Sequence, residues 1–148
     1  MDAYAALRST LQQGLPALAV TDHPEEITRA ETMLAIRIRQ ARQGARRGDI
    51  FTEKIRPAFR QLLRPETTAG TCELIADDNP GEFSYQVNDT YPKKRPVSTV
   101  PASMLDVLPR LPADVEYRFL RHDLVLHDLR ANVILDRMEE AIECPPRK

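Results

Sequence analysis

The spacing of the apolar residues changes once along this chain, and that change decides the fold class. Up to residue 65 apolar positions recur in steps of three and four, the period of a helix face. From residue 115 they alternate, the period of a strand. Val115, Tyr117 and Phe119 alternate with Glu116, Arg118 and Leu120, Leu124 and Leu126 flank Val125, and Val133 and Leu135 flank Ile134. Breaks at His122-Asp123 and from Leu129 to Asn132 separate the runs, which predicts a three-stranded antiparallel meander. So small a sheet is stable only when something packs on it, and the helices ahead of it are the available cover. The expected fold is α+β, with an N-terminal helical half built on a long central helix and packed on a small C-terminal antiparallel sheet. It is expected as a single domain over residues 1–148, helical over residues 1–65 and loop-rich and β over residues 66–148.

The helical half can be read in more detail. Tyr4, Leu7 and Leu11 recur at helical spacing behind Asp2, a capping residue, and Gly14 and Pro16 stop that helix. Asp22 followed by Glu25 is a capping-box pattern, with Pro24 in the first turn where its missing N–H is harmless. Ile27, Ala30, Leu34, Ile38, Ala41 and Ala45 then form one stripe, so a long helix is expected to end near Gly44 or Gly48. Met33 and Ile36 lie off that stripe and predict a second contact face, to another helix or to a second copy of the chain. Phe51, Ile55, Phe59, Leu62 and Leu63 mark a third helix that Thr52 can cap. Pro57 predicts a kink or a later start, and Pro65 ends it. Residues 66–83 read as loop, Phe83, Tyr85 and Val87 as a short strand, Pro101 to Leu108 as a brief helix, Leu108 to Pro112 as extended, and Met138 to Ile142 as a last helical turn.

The chain of 148 residues carries a formal net charge of -1, but the charge is uneven. Residues 27–64 hold ten basic and three acidic side chains, against one basic and four acidic before them and ten basic and fifteen acidic after. Such a basic block either attracts an anionic partner or faces the acidic remainder of its own chain, and the second is the expectation. The first twenty residues lack a basic start and a continuous apolar run, so neither a signal peptide nor a membrane-spanning helix is predicted. Cys72 and Cys144 match no metal spacing and are expected as two unpaired thiols, a disulfide being the reading for an exported protein.

Chemistry-bearing residues are sparse. His122-Asp123 and His127-Asp128 repeat a pair, but a five-residue offset along a strand places side chains on opposite faces, which suits a shared metal poorly. They are expected as turn and solvent-face residues. His122, Asp123, His127 and Asp128 are the alternative, a weak divalent site serving a metal-assisted hydrolase. There is no nucleophile elbow and no glycine-rich phosphate loop, and no cofactor is expected. Arg37, Arg39, Arg42, Arg46, Arg47, Arg56, Arg60 and Arg64 form the most distinctive group, since guanidinium suits bidentate anion contacts. Arg39, Arg42 and Arg46, in a stripe beside the apolar one, are the candidate anion-binding residues. Stacking aromatics are missing beside them, so nucleic acid is the less expected ligand.

Several phrases carry a resemblance. They are Ala45-Arg46-Arg47-Gly48-Asp49-Ile50-Phe51-Thr52, Phe59-Arg60, Val87-Asn88-Asp89-Thr90-Tyr91-Pro92, Leu105 to Pro112, Glu116-Tyr117-Arg118-Phe119, Asp123 to Asp128 and Ala131 to Asp136. In their order they resemble a bacterial protein family of unknown function, most of whose members carry an export signal ahead of this region. The resemblance spans nearly the whole chain and implies a periplasmic or secreted location; it brings no catalytic or binding residue. The function expected on these grounds is that of a non-catalytic exported protein acting by protein or ligand binding. An anion binder and a metal-assisted hydrolase are the alternatives, and a homodimer is expected if the Met33 and Ile36 face is used.

Overall fold

The computed structural model describes all residues except 16–22, 80, 82, 83, 93, 94, 96, 97, 147 and 148. The three alternating runs form strands β1 (Val115–Leu120), β2 (Asp123–Asp128) and β3 (Val133–Met138), paired antiparallel in the order β1-β2-β3. The two breaks become the hairpin turns. Arg121 and Asn132 take positive φ of 59° and 52° there, which the reversal of the chain requires. The register slips between Leu126 and His127, leaving Leu135 as the extra residue of a bulge on β3. The bulge sends two consecutive side chains, Leu135 and Asp136, to the same side of the sheet.

That side carries the helices, which are α1 (Asp2–Gln12), α2 (Pro24–Ala41), α3 (Arg56–Leu63), α4 (Ala69–Asp77) and α5 (Ala102–Val107). Each contributes to one apolar cluster: Tyr4 from α1, Leu34 and Ile38 from α2, Leu63 from α3, Ile75 from α4 and Met104 from α5, against Phe119, Leu124, Leu126, Leu135 and Met138 of the sheet. The α+β arrangement of helices packed on a C-terminal meander is thus what forms. The opposite face of the sheet is also covered. Leu120, Val125 and Ile134 pack with Tyr91, and Tyr85 lies against them. Among the described residues no helix is long and apolar enough to cross a membrane.

Pro57 has the expected effect, since α3 begins only at Arg56 with proline in its first turn. Other expectations are corrected. Helix α2 ends at Ala41, short of either glycine. The Arg42 carbonyl accepts from the Ala45 N–H at 2.9 Å, in a turn and not a further helical bond, and from the Asn88 side chain at 2.6 Å. Its N-cap is His23, with no side-chain bond, and Asp22 and Pro16 lie outside the described residues. The stretch expected as loop contains α4. Thr68 and Thr71 cap it reciprocally, and it buries Cys72 and Ile75, worth about 1.5–3 kcal/mol for the isoleucine alone. Residues 84–86 are not strand, and Phe83 lies outside the described residues. Met138 to Ile142 is not helical. Glu140 takes a φ of 48° and the Ala141 N–H donates to the His122 carbonyl at 2.8 Å, so the chain folds over the first hairpin turn instead. Cys72 and Cys144 are not free thiols. They form a disulfide with Cα atoms 5.8 Å apart, tying α4 to the C-terminal segment.

Candidate functional site

The two His-Asp pairs separate completely. His122 lies in the first hairpin turn, as expected, and Asp123 opens β2. His127 and Asp128, expected on a solvent face, are both buried and point to opposite sides of the sheet. Asp128 faces the helices, where its carboxylate accepts from the Tyr4 hydroxyl at 2.7 Å, the Arg8 Nε at 2.7 Å and the Ala131 N–H at 3.0 Å. Burial, then the Asp128 charge, holds the Tyr4 hydroxyl protonated far above its ordinary range. Burial works against the Arg8 charge, but the bond and attraction to Asp128 outweigh it and hold the guanidinium ionised. Tyr4 and Arg8 stand one helical turn apart, so both reach one carboxylate.

His127 faces the other way, with its ring 5.3 Å from that of Tyr91. Asn132 Nδ2 donates to the Tyr91 carbonyl, which leaves Asn132 Oδ1 to accept from His127 Nε2 at 2.7 Å. That fixes the neutral tautomer with Nδ1 bare, and Nδ1 is buried without a hydrogen-bond partner. Burial lowers the pKa of this imidazole. Among the described residues no group of three or more His, Cys, Asp or Glu side chains is placed to hold a metal.

The arginine stripe is engaged inside the protein. Arg39 donates from Nε to the Asn88 carbonyl at 2.8 Å and from Nη2 to the Thr90 hydroxyl. Arg42 donates to Asn88 Oδ1 at 3.0 Å and to the Leu135 carbonyl at 2.7 Å, lies over the Tyr4 ring, and has its pKa lowered by burial. Arg46 is exposed beyond the helix end. The three therefore do not converge as one site. The acceptors of Arg39 and Arg42 are two main-chain carbonyls and two neutral side-chain oxygens, not the acidic side chains that the charge asymmetry suggested.

Two hollows formed by the described residues bear on the candidate site. A polar cleft of about 480 Å³ lies between α4 and the first hairpin turn, lined by Ile75, Asn79, Arg121, His122, Glu139 and Glu140 among others. Asp123 beside it is spent on the Tyr85 hydroxyl and the Glu140 N–H, each at 3.1 Å, and His122 Nδ1 is 3.9 Å from Glu140, beyond hydrogen-bond reach. No nucleophile and base are paired in this cleft.

The second hollow is an apolar groove of about 430 Å³ between α5, the extended Leu108 to Leu111 segment and β1. Val100, Leu105, Leu108, Leu111, Val115 and Tyr117 line it, with Arg110, Glu116 and Arg118 also in its wall. Leu105 is 48% exposed at this position. Tyr117 donates its hydroxyl to the Pro109 carbonyl at 2.8 Å, and burial pushes its pKa up to about 12, so it stays a neutral donor.

The groove adjoins the β1 edge of the sheet, which pairs with no strand among the described residues. The β3 edge is taken, because Asn88 N–H donates to the Ile134 carbonyl at 2.8 Å and Ile134 N–H to the Asp89 carbonyl at 2.9 Å. At β1, the two-residue turn and the bond from Leu129 N–H to the Asp114 carbonyl fix the parity of the hairpin. Val115, Tyr117 and Phe119 therefore turn their backbone groups away from β2. Val115 N–H goes to the Pro112 carbonyl, while the outward groups of Tyr117 have no hydrogen bond among the described residues. Leu105 and the Leu108 to Pro112 run were visible in the sequence as elements. Their alignment with the free edge was not, because it depends on which strand the rest of the chain covers. Comparison with protein-family models, with curated proteins and with solved structures gives no match.

Proposed function

We propose that this chain is a non-catalytic binding protein that works outside the cytoplasm and takes an extended, apolar segment of a protein partner along β1. The observation that carries the reading is the apolar groove lying beside the outward backbone groups of Tyr117, which have no hydrogen bond among the described residues. A strand added there gains main-chain bonds from the edge and places every second side chain toward the groove, a recurring mode of peptide recognition. A free edge is normally blunted, and Glu116 and Arg118 do this in part by keeping the strand charged on one face.

Two further features support the reading. Asp128 and His127 are buried in the fold, where their bonds hold α1 and the β2–β3 turn in place. The Cys72–Cys144 bridge suits an oxidising compartment, in agreement with the export that the resemblance implies.

The test is selection of peptides from a random library on the immobilised oxidised protein. Enriched sequences should alternate apolar and polar residues, slow amide exchange at Tyr117, and fail to bind Leu105→Arg, a change at an exposed position that leaves the melting temperature in place. No enrichment, or equal binding to the variant, would sink the reading.

A further inference from the structure

We propose that Arg47, Arg56 and Arg137 form a binding site for a phosphate group, which Glu139 fills as an internal stand-in. This site is separate from the β1 groove and does not depend on it. Arg47 in the turn after α2 and Arg56, the first residue of α3, lie close in sequence, and Arg137 joins them from β3. With Gly48, Glu53 and Glu139 they enclose a polar cavity of about 270 Å³. On the measure of about 30 Å³ per liquid water, that volume holds roughly nine waters, ample for one tetrahedral anion and some of its hydration.

The site is held rigid from below. Asp136, buried beneath it, accepts from the N–H groups of Gly48 at 2.9 Å, Ile50 at 2.8 Å and Phe51 at 2.7 Å, and from that of Arg137 at 2.8 Å. Those four peptide donors compensate the Asp136 charge, so the carboxylate shapes the loop instead of neutralising the arginines above. Gly48 has a φ of 92°, and a Cβ there would lie 3.7 Å from Arg56 Nη2, so the guanidinium rests against bare backbone. Arg137 is steadied from the other side by the Tyr85 ring, 4.9 Å from its guanidinium carbon.

The charges above that floor do not balance. Glu139 Oε1 accepts from Arg137 Nη2 at 2.9 Å and from Arg47 Nη1. Arg56 is left with Glu53, 3.9 Å away and 94% exposed, where water screens the pair. Its Nε is buried without a hydrogen-bond partner. Three guanidiniums thus face two carboxylates, one of them solvated, and a buried donor goes unanswered. Planar forks of this kind suit an anion with several equivalent oxygens, and phosphate fits better than a second carboxylate because three forks approach it. Stacking aromatics facing the cavity are not among its lining residues, so the group bound is a single phosphate and not a nucleic-acid strand.

Calorimetric titration of the oxidised protein with inorganic phosphate tests this, with sodium chloride at matched ionic strength as the control and glycerol phosphate in a parallel arm. Phosphate should bind and raise the melting temperature where chloride does not. Arg56→Gln should weaken binding by about tenfold or more, the worth of a charge-assisted hydrogen bond, and Arg56→Lys should fall between. Glu139→Gln should tighten binding, since it removes the competitor and leaves the arginines. Tighter binding of the monoester marks a phosphorylated molecule as the ligand, and equal binding marks free phosphate. The proposal is overturned if phosphate up to about 10 mM acts no differently from chloride at the same ionic strength, if Arg56→Gln binds like the parent, or if Glu139→Gln weakens binding.

Discussion

Opening the Cys72–Cys144 bridge should cost about 4 kcal/mol of stability. The bridge spans 72 positions of sequence, and closing a loop of that length removes about 15 cal/mol/K of entropy from the unfolded chain, hence the figure at 25 °C. In a chain of about 150 residues each kcal/mol moves the midpoint by about 2–4 °C, so the reduced protein should melt about 8–16 °C below the oxidised one. That is a large share of the 5–15 kcal/mol that holds an ordinary domain together. The assay is scanning calorimetry of the oxidised protein, the reduced protein and Cys72→Ala/Cys144→Ala. The reduced form separates loss of the cross-link from loss of the two sulfurs.

Two signatures belong to this mechanism. The urea m-value should rise once the bridge is gone, because the unfolded chain exposes more surface. The segment after β3 should also open before the main transition, since Ala141 and Ile142 are buried there without regular secondary structure and the bridge at Cys144 is their covalent anchor. A midpoint shift of less than about 3 °C with an unchanged m-value would refute the loop-entropy reasoning. Two free thiols in the native protein, isolated without reductant, would refute the bridge itself.

Asp128→Ala should destabilise by about 3–5 kcal/mol in urea melts, because it leaves the buried Arg8 Nε and Tyr4 hydroxyl without an acceptor and removes the nearest counter-charge of the guanidinium. A loss below about 1 kcal/mol would mean that α1 simply lifts away with its charge. His127 makes stability depend on pH. Burial lowers its pKa in the fold, so the unfolded chain binds the proton more readily. Stability is therefore full above about pH 6.5 and falls as the pH drops below that value toward the folded-state pKa. Urea midpoints at about pH 7.5 and about pH 5.5 should differ more for the parent than for His127→Gln, and equal differences would discard the assignment.

The elements of this fold legible in the sequence are those governed by local period. The meander follows from alternation in β1 and from short apolar runs set off by turn signals in β2 and β3, and α2 from a stripe several turns long. Helix α4 was hidden because its cap pairs Thr68 with Thr71, where the recognised signature wants an acid or amide at the third position, and because Gly70 weakens its first turn. The end of α2 was unreadable for a different reason: Asn88, whose side chain bonds the carbonyl of the C-cap residue Arg42, lies 46 residues away. The same holds for the His-Asp pairs. Asp128 is buried by partners 120 and 124 positions distant, and His127 by Tyr91, which belongs to a stretch with no periodicity to announce that it covers a sheet face. Of the apolar groove, each lining element was visible and the strand edge beside it was not.

Four arginines of the block that carries seven excess positive charges find main-chain acceptors. Arg37 donates to the carbonyls of Leu11 and Gln13 at the end of α1, Arg39 to that of Asn88, Arg42 to that of Leu135, and Arg60 to those of Glu139 and Glu140. These carbonyls belong to helix ends, a bulge and coil, places where the regular ladder offers no donor and an unmet acceptor is costly. A long cationic side chain reaches such a group from a neighbouring helix, so the basic stripe of α2 works as a set of ties between layers. Removing one tie strands a carbonyl and weakens the fold, while leaving any anion affinity nearly unchanged. Arg47 and Arg56 differ in that the partners of their guanidiniums are carboxylates, exposed and replaceable. Substitution there should change ligand binding with little change in melting temperature, and that contrast between two sets of arginines in one basic block separates a role in the fold from a role in recognition.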